Sequence, residues 1–138
     1  KKKKKSATYD EPPNPYEAEY PYNHVRETES GHIKEYDDTP DNERIHEYHK
    51  SGTFYEIHPN GDKVTRIVGN NYEIVAEGSN VNIKGTCNLT IDSDCNTYVK
   101  GNWNIQVDGN VNEVIKGTLT QNVTGAVSER MEQLNPHK

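Results

Sequence analysis

From Ile83 to Gly125 the chain reads IKGTCNLT IDSDCNTY VKGNWNIQ VDGNVNEV IKGTLTQN VTG. Every block of eight opens on Ile or Val, and its third place is Gly except where Ser93 stands. Followed outward, the same phase runs through Ile67, Val75, Ile83, Ile91, Val99, Val107, Ile115 and Val123. Two places later it carries Gly61, Gly69, Gly85, Gly101, Gly109, Gly117 and Gly125, broken only at Glu77 and Ser93. A fixed short period without insertions marks a chain that winds rather than one that closes a globular core.

The inside of the octad says what winds. Odd positions hold apolar residues (Val81, Leu89, Trp103, Ile105, Val111, Leu119 and Val127 beside the Ile/Val series), and even positions hold Asn, Thr, Lys and Asp. Asn80, Asn88, Asn96, Asn104 and Asn112 form a ladder at one even place. Alternation at period two is strand chemistry, with one face buried and one wet. The inward core expected from this parity is Ile67, Val75, Ile83, Ile91, Val99, Trp103, Val107, Val111, Ile115 and Val123. Glycine once per octad supplies a corner, where a positive φ or a close backbone approach is accessible without a Cβ. The corners at Glu77 and Ser93 should then be looser.

Composition restricts how such a chain can be stable. Only 30% of the 138 residues are apolar, Phe, Met and Trp occur once each, and the mean hydropathy is -1.11. A lone globule of this composition would struggle to offset its conformational entropy by burial. Three octads would make one triangular turn, so a single chain would complete fewer than three turns and leave exposed strand edges. If three chains wind about one axis, every strand finds neighbours in the other two. Each face then stacks about eight strands at roughly 4.8 Å, a prism on the order of 40 Å long. The expected fold is therefore all-β: a homotrimeric, intertwined three-stranded β-helix in the form of a triangular prism.

Outward from the repeat (61–127) the pattern changes. Residues 23–60 show short alternating stretches near 24–29, 32–36, 44–49 and 53–58, divided by Ser30-Gly31, Asp37-Asp38-Thr39-Pro40, Ser51-Gly52 and Pro59-Asn60-Gly61. They read as a collar of antiparallel strands, with Asn60-Gly61 as a two-residue hairpin turn. Residues 1–22 read as an extended Lys-, Pro- and Tyr-rich leader, and its tyrosines suit either docking on a neighbour or a plain linker. Residues 128–138 leave the repeat; Glu129 to Leu134 suit one or two helical turns or a frayed end.

The formal net charge is -6, and without the Lys1–Lys5 run it is near -11. Nothing basic or aromatic adjoins that run, so it reads as a solvated tail, and an acidic body argues against a nucleic-acid partner. No apolar stretch has the length of a membrane-spanning helix or a signal-peptide core. Two cysteines are too few for a disulfide framework.

The octads, preceded by Glu29-Ser30-Gly31-His32, Asp37-Asp38-Thr39-Pro40, Glu43-Arg44-Ile45 and His49-Lys50-Ser51-Gly52-Thr53, resemble the C-terminal needle of phage baseplate central spikes. The similarity is to the cell-puncturing spike of T-even-type contractile tails, with VgrG-like proteins of type VI secretion as relatives, and covers residues 20–127. It implies a homotrimer mounted on hub and tail-tube proteins at its wide end. It also implies a tip-capping partner at the C-terminal end and passage through the bacterial outer membrane when the sheath contracts. The implied location is the virion tail baseplate, assembled in the host cytoplasm. In that family an OB-fold and a lysozyme domain precede the needle. Neither is visible in these residues, and no separated carboxylate pair suits glycoside hydrolysis, so a non-catalytic fragment with no catalytic residues and no cofactor is expected. Some spike tips hold iron on His-x-His; His137 stands alone, so no tip metal is expected.

Several residues invite sharper readings. Cys87 and Cys95, one octad apart with inward parity, suit small apolar fillers in a reduced assembly, with a bridge or a metal as alternatives. His46 and His49 are three apart on a strand and point to opposite faces, which disfavours a shared ion. Asp37-Asp38 and Asp92/Asp94 lack the nine-residue period of calcium-binding repeats. The sequons at Asn88 and Asn122 mean little without secretion. Lys84, Lys100 and Lys116 alternate with Asp92 and Asp108 at one octad place and suit inter-chain ion pairs. The Asn ladder suits stacked amides, or, on the alternative reading of a trimeric fibre-like binding module, contact with a cell-surface receptor or glycan.

Overall fold

A computed structural model describes residues 9–132. The Lys1–Lys5 run, the C-terminal residues 133–138 and the lone His137 lie outside the described residues. Within them the chain is all-β, without a helix: β1 (Asn23–Glu27), β2 (Ile33–Asp37), β3 (Arg44–Tyr48), β4 (Phe54–Ile57) and β5 (Lys63–Arg66). They form one antiparallel meander in the order β1-β2-β3-β4-β5. The stretches read from turn signals correspond to β1–β4. β5 lies beyond residue 60, so the sheet extends into the first residues of the stretch assigned to the repeat.

Three of the four connections are one device used three times. Glu29-Ser30-Gly31, Lys50-Ser51-Gly52 and Pro59-Asn60-Gly61 are three-residue loops closed by paired backbone hydrogen bonds. In the first, Thr28 N donates to His32 O at 2.9 Å and Gly31 N to Thr28 O at 3.0 Å. His49 with Thr53 and His58 with Asp62 repeat the pattern at 2.8 and 2.9 Å. Each loop ends on a glycine with φ of 96°, 102° or 91°, the left-handed residue that this loop requires. Asn60-Gly61 is thus part of a three-residue loop, and Gly61 turns a hairpin rather than an octad corner. The β2–β3 connection is longer. Its Thr39-Pro40-Asp41-Asn42 turn is closed by Asn42 N on Thr39 O at 2.9 Å, with Asp41 at φ 64°. Proline at the second place and a positive φ at the third are the type II arrangement.

The described part of the leader contacts this sheet through Tyr16, Glu19 and Tyr22. Asp38 N donates to Tyr22 O at 3.1 Å, Glu19 N donates to Thr39 Oγ1 at 2.9 Å, and the Tyr16 ring centre stands 4.8 Å from the Arg44 guanidinium. Of the two readings left open for its tyrosines, docking describes Tyr16, although the surface it meets belongs to its own chain.

Past Arg66 no strand forms among the described residues. The backbone is extended and bends sharply once per octad. In one compact unit, ending at Cys95, the bends fall at 68–69, 76–77, 84–85 and 92–93; in the other, starting at Asn96, at 100–101, 108–109, 116–117 and 124–125. Ala76-Glu77 and Asp92-Ser93 bend at the same places as the glycine corners. The glycines from Gly69 onward have no left-handed φ, and a Cβ built on any of them meets nothing within 4 Å in the chain. Within the single chain, neither a left-handed φ nor a close contact sets these glycines apart from Glu77 and Ser93.

Gly52→Ala should lower sheet stability by about 1–3 kcal/mol, since alanine would hold a strained φ and its Cβ would sit 3.4 Å from Val68 Cγ1. Gly31→Ala is expected to share the strain without that contact. Thermal unfolding followed by circular dichroism checks both.

Candidate functional site

Two features of the chain have chemistry to offer: a buried polar centre in the sheet, and the exposed face of the octads. Register explains the first. Asp37 pairs with Arg44 and Glu35 with His46 across β2–β3, and His46 pairs with Glu56 across β3–β4. Pleating sends all of these side chains to one face. Glu35, Asp37, Thr39, Arg44, Glu56 and His58 are buried, whereas no apolar side chain among the described residues is. The sheet is centred on charge.

Arg44 is the hub. Its Nη2 contacts Glu35 Oε1, its Nη1 donates to Glu56 Oε1 at 2.9 Å, and its Nε stands 3.7 Å from Asp37 Oδ2, too far for a hydrogen bond. Asp37 Oδ1 accepts from Thr39 Oγ1 at 2.6 Å and from Thr39 N at 3.0 Å, which ties the β2–β3 loop to the centre. His58 Nε2 lies 3.1 Å from Glu56 Oε2 and His46 Nδ1 lies 3.5 Å from Glu56 Oε1. Burial opposes the charge on Glu56. Hydrogen bonds from Arg44 and His58, with the nearby His46 and Arg44 charges, outweigh it and hold the carboxyl below its ordinary range. Around this centre His46, Tyr48 and Phe54 pack ring on ring, with His46 and Phe54 centres 5.6 Å apart.

Sequence reasoning passed over this centre. Its signal was present: Glu35 and Asp37 share a strand face, as do Arg44 and His46, and Glu56 and His58. What the sequence lacked was the register that stacks them. His46 and His49 serve different places. His46 faces Glu56, while His49 accompanies Ser51 Oγ at 2.7 Å and the His32 ring at 4.6 Å. Asp38 stands 3.6 Å from His24, away from the centre that holds Asp37.

The octad face is the second feature. Ile67, Val75, Ile83, Ile91, Val99, Val107, Ile115 and Val123 are 39–55% exposed in the single chain, and Trp103 and Val111 are also exposed. Residues at the even places stand out further: Ile74 is 93%, Val114 87% and Tyr98 84% exposed. Cys87 and Cys95 are free thiols, both exposed. Lys84, Asp92, Lys100 and Lys116 make no ion pair within the described residues, and Asp108 accepts a hydrogen bond from Gln106 Nε2 at 2.8 Å. Each stands at the first residue of a bend. In each unit the octads thus expose a periodic apolar series flanked by charges of alternating sign.

No family model matches the chain. It is similar to Protein Gp5 of Vibrio phage KVP40, 59% identical over 86 residues, 62% of this chain and 20% of that protein. It is also similar to the pre-baseplate central spike protein Gp5 of Enterobacteria phage T4, 44% identical over 77 residues, 56% of this chain and 13% of that protein. The chain thus spans a fifth or less of the curated relatives it matches. The resemblance to phage baseplate central spikes read from the residues is shown by this homology, over more than half of the chain.

Arg44→Ala is expected to cost the sheet about 3–5 kcal/mol, because three buried carboxylates lose their partner. Tyr16→Ala should cost only about 0.5–1 kcal/mol, as a half-exposed ring on a cation. The lowered Glu56 pKa also fixes a pH dependence. Its contribution is fully present above the ordinary value of 4.5 and is lost as pH falls through the lower folded value. Glu56→Gln should flatten that acid limb in denaturant titrations run at a series of pH values.

Proposed function

We propose that this chain is the needle and collar of a phage baseplate central spike, a non-catalytic part of a contractile injection machine in the virion. It works as a homotrimer whose three repeats intertwine into a triangular β-helix, with the antiparallel sheets as a collar at the wide end. Hub and tail-tube proteins hold that end, a capping protein covers the tip, and the target is the bacterial outer membrane. The task is mechanical: to carry compressive force from the contracting sheath without buckling or losing a chain.

One observation carries this reading beyond the homology. Residues 67–132 bend every eighth residue yet pair with no strand of their own chain, and their β-branched column stays open. Extended backbone groups need partners when they are buried, and other copies of the same repeat can supply them in register. Burying a Val or Ile side chain contributes roughly 1.5–3 kcal/mol, so the column offers each chain a large gain on assembly that it lacks alone. Withdrawing one chain from the other two requires unwinding it, which makes stability kinetic as much as thermodynamic.

Light scattering should give a solution mass of three chains, and the assembly should survive an unboiled SDS gel. Val107→Asp should abolish it, since unpaired carboxylates would meet on the axis, each costing several kcal/mol. Asn104→Ala should leave it intact. A monomer in solution, or a normal SDS-resistant trimer from Val107→Asp, would overturn the reading.

A further inference from the structure

The trimeric reading leaves open which octad of one chain lies against which octad of the next. Two observations decide it. The first is the charge at the bends. Lys84, Asp92, Lys100, Asp108 and Lys116 occupy the first residue of five successive bends, and their sign reverses at every octad. Strands stacked in a sheet lie about 4.8 Å apart, so residues at equivalent octad places become direct neighbours. A step of two octads between stacked strands would set Lys84 on Lys100; a step of one or three sets each charge against its opposite. The second observation is that the repeat does not pair with itself among the described residues. A step of three is what one chain produces when it winds three octads per turn and stacks on its own earlier turn. That leaves a step of one, with the neighbour supplied by another copy.

Resting on the trimeric reading, we propose that neighbouring chains stack with a one-octad step, which places Cys87 of each chain directly against Cys95 of the next. The same step sets Lys84 beside Asp92, and Asp108 beside Lys100 and Lys116, of adjoining copies. The two cysteines occupy the same octad place in successive blocks, and inside one chain they are separate free thiols. Between chains their Cα atoms fall at roughly the strand spacing, inside the window of about 4.4–6.8 Å that a disulfide spans. Three such pairs arise around the axis. Each chain gives its Cys87 to one neighbour and its Cys95 to the other, so the pairs close a ring.

Oxidation makes the step readable. Diamide added to the assembled protein takes two electrons and two protons from each thiol pair, leaving a disulfide and the reduced hydrazine. The expected product, on a boiled non-reducing SDS gel, is a band of three chains that dithiothreitol returns to one. Cys87→Ser and Cys95→Ser should each abolish cross-linking, because the proposed neighbour of either thiol is the other. Boiled monomers from a sample whose native mass is three chains would overturn the step while leaving the trimer standing, and dimers from either single-cysteine variant would do the same. A native mass of one chain would instead remove the trimer. The charges give an independent check. Asp92→Lys with Asp108→Lys makes all five places cationic, and the loss of SDS resistance should be marked at low salt and largely restored in molar salt. A loss of equal size in both would overturn the charge ladder.

Discussion

Among the described residues the repeat pairs with no strand of its own chain, and the rest of the molecule is read around that constraint. Every extended residue presents a donor and an acceptor along its edges, and such edges in isolation are templates for pairing. Natural sheets blunt them with charge, proline or a covering segment. Here residues 67–132 do none of these. Most charge lies at the bends or on the even face, with Glu73, Glu113 and Glu129 at odd places, and no strand of the described residues covers the segments between bends. A monomeric protein carrying this surface would be an aggregation hazard; a protein that completes itself with identical copies can leave it open. On the proposed trimeric reading the low apolar content follows, because the apolar residues of the repeat would be closed off by the assembly rather than by the single chain.

The sheet solves the opposite problem. It must fold within a single chain, on very little apolar surface, and it does so with Arg44 and the carboxylates of Glu35, Asp37 and Glu56. A buried ion cluster is a poor source of net stability because desolvation offsets its Coulombic gain. Its merit is specificity. Only one register of β2, β3 and β4 brings three carboxylates to one guanidinium, and a slip of one residue would send every member to the opposite face. In a sheet with no buried apolar side chain among the described residues, this cluster and the short hairpin loops share the work of setting register.

Legibility in the sequence divides along the same line. The repeat was readable because its geometry is local: a bend every eight residues and alternation between bends are written in the chain at the same spacing that the structure uses. Three turn glycines were also readable, since a left-handed φ leaves few substitutes. The corner glycines illustrate the reverse. Gly69 and Gly101 bend without a left-handed φ, as Ala76-Glu77 does, so the backbone of the single chain does not single them out. The polar centre was hidden for a different reason. Glu35, Arg44 and Glu56 are individually ordinary charged residues of a polar sequence, and only cross-strand register, set by loop lengths, makes them one group. The three-residue loop at Pro59-Asn60-Gly61 shows how fine that dependence is, because one residue more than the two-residue turn alters which side chains face each other across β4 and β5.

The two parts meet at a joint that bears on assembly. Val68 opens the first bend of the repeat, and its N–H donates to Thr53 Oγ1 at 3.1 Å, beside the left-handed Gly52 that ends the β3–β4 loop. The first bend of the repeat is therefore tied to the sheet. An intertwined assembly has a register problem that an ordinary oligomer lacks: octads of similar composition can engage one step too early or too late, and every later strand inherits the error. If each collar fixes where its own first bend begins, three collars docked about an axis present three repeats already in phase. The alternating charges at later bends then penalise slips of a single octad, which would oppose like charges. On the proposed reading, specificity would thus be divided between a buried cluster that sets the start and an exposed charge pattern that checks the stack.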